Sequence, residues 1–264
     1  MTIVAAVKSR DCLVIGTDSM TQVIGPGVNG TTLVLKSYSN ATKLFQLGDL
    51  PIAIATWGAG NLGSLSVGGL VSEFQSHVTP AANLQAIAQE LSTFIQTSYI
   101  AAYPPTPPPG LPPPQQPNPL PILGFFIGGY SGNQPLPELW EVRFPGPSVT
   151  RIWSPQDSGA AWRGIEIPFT RLHFGADPRI KGVLTQAGVD ASTIQQVTTG
   201  FQSPVIFDSM PIQDAVGFAE YILRTTIGFT TYETGSPSCG EPIQVAVIVR
   251  RKGYVWVHEP KFHV

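Results

Sequence analysis

A threonine directly behind the initiator methionine brings two reactive groups into one residue once Met1 is removed: Thr2 then carries a hydroxyl nucleophile and a free α-amine. An unperturbed α-amine titrates at roughly pH 7.7 to 8.0, so at neutral pH it can take the hydroxyl proton, and an N-terminal threonine is an established pairing of nucleophile and base. A nearby cation favours the neutral amine, and an acid holds that cation in place. Other chemistries are poorly served. The histidines, His77, His173, His258 and His263, show neither HxxxH nor HExxH spacing, which disfavours zinc. There is no GxSxG elbow and no Walker loop. WGAGNLG, at 57–63, places glycines after a strand and before a helix but lacks the GxGxxG register of a dinucleotide site.

Positioning such a terminus requires elements that start immediately. Residues 2–7 and 12–17 are short runs rich in β-branched side chains, separated by Lys8-Ser9-Arg10-Asp11, and read as a hairpin that fixes the first residue in a sheet ladder. Strand-length apolar segments follow at 31–36, 43–47 and 51–57 and predict an early sheet. The period then changes. Leu62, Leu65, Leu70, Phe74 and Val78 recur at helical spacing, as do Leu84, Ile87, Leu91, Phe94 and Ile95. Segments 123–130, 138–144 and 149–153 predict a second run of strands, 177–187 and 212–227 predict helices, and 244–249 with 254–258 predict a closing hairpin. This order predicts an α+β fold, a four-layer α-β-β-α sandwich of two antiparallel sheets flanked by helices.

A chain of 264 residues can bury a full core as one domain spanning 1–264. It is interrupted at 104–121 by a tract holding 11 of the 26 prolines, PPTPPPGLPPPQQPNPLP. Fixed φ angles and missing amide donors exclude helix and internal strand there. The tract reads as an insertion between elements, with an SH3-type ligand as the other reading. A formal net charge of −2 without a basic stripe argues against nucleic acid and anionic membranes as partners. No signal peptide is apparent and no run of about 18 apolar residues predicts a membrane span. Cys12 and Cys239 form no CxxC pattern, which suits a reducing cytosol and an expected cytoplasmic location. Only 12% of residues are charged, against about a quarter in typical soluble domains, which points to extensive subunit interfaces.

TIVAAV, then IGTDS, then TKLFQL followed by a strand and ATWGAGNLG, resembles the proteasome β-subunits and the related bacterial peptidase HslV, which are N-terminal nucleophile hydrolases. The resemblance implies roles for individual residues. Thr2 matches the nucleophile, Asp18 the motif aspartate, Lys43 the active-site lysine, and Gly58 the backbone donor to the oxyanion. Ala41, Thr56 and Gly60 fall where the family lines its specificity pocket. GPGVNGTT, between Asp18 and Lys43, reads as a lengthened turn. The family's Gly-Ser-Gly loop is matched here to Gly175-Ala176-Asp177, and its later Asp and Ser helpers to Ser236-Pro237-Ser238-Cys239-Gly240. Supporting candidates are therefore Ser19, Gly175, Asp177 and Ser238, with Glu233 and Glu241 as further acids able to substitute.

The expected function is that of a self-compartmentalising threonine peptidase in stacked homo-oligomeric rings, acting on peptides or unfolded proteins, fed by an ATP-driven unfoldase and needing no cofactor. Two alternatives stay open at this point: a catalytically impaired ring scaffold that keeps the fold, and an N-terminal nucleophile amidase acting on small amides.

Overall fold

The computed structural model describes residues 2–27, 32–78, 83–105, 120–132 and 134–260. Met1, His263, part of the GPGVNGTT turn and most of the proline tract lie outside them. In chain order the first strands are β1 (Ile3–Lys8), β2 (Cys12–Asp18), β3 (Thr21–Pro26), β4 (Thr32–Tyr38), β5 (Leu44–Gln46) and β6 (Ile52–Gly58). The short pair β7 (Asn61–Leu62) and β8 (Leu65–Ser66) leads into helices α1 (Val67–Phe74) and α2 (Leu84–Ala102). Then come β9 (Leu123–Gly129), β10 (Glu138–Phe144), β11 (Ser148–Arg151) and β12 (Gly159–Gly164). Helices α3 (Ile167–Phe174), α4 (Ile180–Gln186), α5 (Ala191–Gly200) and α6 (Ile212–Tyr232) precede β13 (Ile243–Val249) and β14 (Gly253–His258).

All ladders are antiparallel, and the two large sheets run β12-β1-β2-β13-β14 and β11-β10-β9-β6-β5. The expected early sheet is therefore divided: β1 and β2 join the closing hairpin, while β5 and β6 join the strands beyond the proline tract. The reason lies in burial. β1 and β2 are buried at every position, so each needs a cover on both faces, and neighbours along the chain cannot supply both.

Three apolar clusters supply those covers. Val4, Ala6, Leu13 and Ile15, with Ala246 and Ile248 of the same sheet, meet Ala53, Ala55 and Phe126 of the other sheet. The opposite face of β1 and β2, with Ile3, Val7 and Val14, packs on Phe169 of α3 and on Ala219 and Leu223 of α6. Ile54, Phe125, Ile127 and Val142 pack on Leu70 and Phe74 of α1 and on Leu91 and Ile95 of α2. Each buried Val, Leu, Ile or Phe among them contributes about 1.5 to 3 kcal/mol relative to exposure.

Helix α2 forms where the period predicts, because Asn83 accepts the Ala86 N–H at 2.8 Å and caps a buried stripe running from Leu84 through Ile87, Leu91 and Ile95 to Tyr99. The preceding helix is shorter than expected. Ser66 is its cap, bonded by the Gly69 N–H at 3.0 Å, so α1 starts at Val67, and Leu62 and Leu65 instead face each other across β7 and β8. The expected helix at 177–187 is confined to α4, while α3, α5, β3 and β12 arise in segments with no strong periodic signal. The proline tract is bounded by the end of α2 at Ala102 and the start of β9 at Leu123, where Tyr99 Oη donates to the Pro121 carbonyl at 2.7 Å.

Among the described residues no helix is long and apolar enough to cross a membrane.

Candidate active site

Thr2 sits immediately before β1 and is 5% exposed. Its position is set from two sides. The Thr2 carbonyl accepts the Ile165 N–H at 2.9 Å, just past β12, and the next amide, Ile3 N–H, donates to Asp18 Oδ1 at 3.2 Å. Gly164 closes the first contact. Its φ is +92°, and a Cβ there would lie 1.9 Å from the Thr2 oxygen, so only glycine allows the two chains to approach.

Asp18 ends β2 and is fully buried. Its Oδ1 also faces Lys43 Nζ at 2.9 Å, and its Oδ2 accepts the Met20 and Gly240 amides at 3.0 and 3.2 Å. Lys43, 6% exposed, precedes β5 and donates as well to the Met20 carbonyl. Burial pushes the Lys43 ammonium down from its ordinary value against the pull of Asp18. The same burial pushes the Asp18 carboxyl up, opposed by Lys43 and by the Gly240 and Ile3 amides.

Thr2, Lys43 and Gly58 line one cavity of about 90 Å³, together with Ala41, Thr56 and Gly60. Residues assigned separately to nucleophile, cation, oxyanion and pocket thus share one space. Gly58 ends β6 at φ +91°, and a Cβ there would meet the Ile122 carbonyl at 2.1 Å. A hydroxyl, a buried ammonium and small walls around a confined space suit attack on a carbonyl held against Thr2.

Other sequence candidates stand elsewhere. Ser19 lies behind the cavity wall, its hydroxyl accepting from Gln244 Nε2 at 2.8 Å. Gly175 caps the end of α3 and abuts Phe201. Asp177 borders a different cavity of about 380 Å³, with Thr170, Phe174, Ile180 and Thr198, and is paired with Arg171 and Arg179. Ser238 is not among the residues lining the Thr2 cavity; two residues on, the Gly240 amide is what reaches Asp18. The segment that abuts the Thr2 carbonyl is Gly164-Ile165. Glu241 pairs with Arg224.

Sequence reasoning also passed over Met20 and Gln244. The second had a legible signal, a lone amide in the apolar strand IQVAVIV. Among the described residues no group of three or more His, Cys, Asp or Glu could hold a metal ion. His173 lies among Trp162, Phe169 and Phe174, His258 meets Glu220 at 2.8 Å, and His77 packs on Phe94. Comparison of the chain with protein-family models and with curated proteins finds no match.

Proposed function

We propose that the chain is an N-terminal threonine hydrolase of the proteasome β-subunit and HslV type, cleaving peptide bonds through an acyl-enzyme on Thr2 after loss of Met1. The observation that carries this reading is the buried 2.9 Å Asp18–Lys43 pair, whose lysine lines the cavity with Thr2 and whose aspartate is tied through the Ile3 amide to the same backbone. Thr2 Oγ attacks the scissile carbonyl carbon and its proton passes to the Thr2 amine. The Gly58 amide stabilises the oxyanion. The C–N bond then breaks, the amine returns the proton to the leaving nitrogen, and water releases the acyl group by the reverse proton path. Lys43, held by Asp18, favours the neutral amine as base.

The same reading takes the chain as one domain with a proline-rich insertion, layered helix, sheet, sheet, helix. The three apolar clusters support that layering. Assembly into stacked rings, the remaining part of the proposal, is supported by the hairpin β3–β4, which among the described residues pairs with no other strand and exposes Val23, Ile24, Leu33, Leu35 and Tyr38. A two-stranded ribbon is marginally stable alone and gains from a cover. Thr2→Ala tests the chemistry: hydrolysis of fluorogenic peptides should vanish while the sedimentation profile stays that of the wild type. Near wild-type turnover by Thr2→Ala removes Thr2 from the mechanism.

A further inference from the structure

Gln244 lies on β13 with its side chain on the same face as Ala246 and Ile248, between the two large sheets, and is 2% exposed. A polar side chain in such a place must satisfy every donor and acceptor or cost stability. Gln244 does so completely. Nε2 donates to Ser19 Oγ and to the Ala41 carbonyl, each at 2.8 Å, and Oε1 accepts the Lys43 and Leu44 amides at 3.0 and 3.1 Å. The orientation of the amide follows from its partners, since a backbone carbonyl can only accept and two backbone N–H groups can only donate.

These four bonds tie β13 to two other chain segments, at Ser19 and at residues 41–44, at one point. Ser19 directly follows the carboxylate Asp18, Ala41 lines the Thr2 cavity, and the Lys43 and Leu44 amides begin β5. β13 and β2 belong to one large sheet and β5 to the other, so the amide fixes the offset between sheets at the height of the ion pair. Apolar packing alone allows such sheets to slide with little directional penalty, whereas four hydrogen bonds specify one offset.

We propose that Gln244 is a positioning residue for the threonine hydrolase, holding the Lys43 backbone so that its ammonium stands against Asp18 and beside Thr2. This rests on the proposed function. Gln244 touches no reacting atom and acts through Lys43. Without it, Lys43 is displaced, the Thr2 amine loses its neighbouring cation, and the amine titrates closer to its ordinary value, at higher pH.

The test is Gln244→Met, which keeps the length of the side chain and removes the amide. Folded Gln244→Met should lose about 100-fold in kcat, as expected for a small misplacement of a reacting group, with KM within about twofold. The rising limb of its pH–rate profile should move to higher pH. A kcat near wild type, or a lower kcat with an unmoved limb, overturns the proposal, because a loss of folded fraction lowers amplitude without moving a limb. If Gln244→Met does not fold, Ser19→Ala decides: it removes one of the four partners, and its limb moves the same way if the proposal holds and stays put if it does not. If the wild type hydrolyses no peptide, the proposed function fails, and positioning is read from the Lys43 Nζ resonance of ¹⁵N-lysine-labelled protein. That signal should be protected from solvent exchange in the wild type and lose protection in Ser19→Ala or Gln244→Met; unchanged protection in the variants overturns the proposal.

Discussion

Two ion pairs of similar length, Asp18–Lys43 at 2.9 Å and Asp177–Arg179 at 2.6 Å, behave differently because one is buried at both partners and the other opens to solvent at its arginine. At Asp177 the Arg179 guanidinium and the Arg179 backbone N–H both donate to the carboxylate and hold it well below the usual range, against a weaker opposing effect of burial. At Asp18 the same kind of neighbour is outweighed by loss of water, and both partners are pushed toward neutrality. A charge buried with little water to screen it acts strongly on neighbouring groups, whereas a solvated pair is screened. Distance does not separate the two sites. Burial does.

The largest effect should come from breaking the buried pair. Lys43→Met leaves Asp18 without its counter-charge, and we expect about 3 kcal/mol less stability in urea unfolding and at least ~100-fold lower peptide turnover. Gly164→Ala should come next. It keeps both charges but drives a Cβ to 1.9 Å from the Thr2 carbonyl at a positive φ, costing about 1 to 3 kcal/mol and lowering turnover by displacing Thr2.

A pH effect sharpens the comparison at a third place. Burial pushes His173 below its ordinary value. The folded state then binds fewer protons than the unfolded one, so this contribution is fully present above an unfolded pKa of about 6.5 and is lost as pH falls toward the lower folded value. Thermal unfolding across pH 5 to 7 should show a decline that is shallower in His173→Phe, which keeps a ring among Trp162, Phe169 and Phe174. The smallest effect belongs to the exposed pair. Asp177→Asn should leave turnover within about twofold and the melting temperature unchanged within error.

How much of this was legible in the sequence depends on whether a signal is local. The run of β1 and β2 was readable because both strands are strongly apolar, whereas Asp18, Lys43 and the small residues of the pocket were singled out only through the family resemblance of the segments that hold them. The contact that fixes Thr2 was not legible. β12 reads GAAWRG, with small residues and no clean alternation, so neither the strand nor the role of Gly164 announces itself. The glycine at 175 drew attention instead, yet its positive φ serves the end of α3. Leu62 and Leu65 fit a helical spacing equally well as partners across a tight hairpin, and the Ser66 cap decides between them. Sheet order was hidden because strands from opposite ends of the chain pair.

The central claim is that one residue, Thr2, supplies both nucleophile and base. Treatment of the purified protein with a peptide epoxyketone tests it most directly, since that warhead closes a ring only with a hydroxyl and a free amine on the same residue. Intact and peptide mass spectrometry should find a chain without Met1 carrying one adduct on Thr2, and none on the Thr2→Ala chain. A wild-type chain that retains Met1, or one that lacks Met1 and remains unmodified under saturating epoxyketone, contradicts the account.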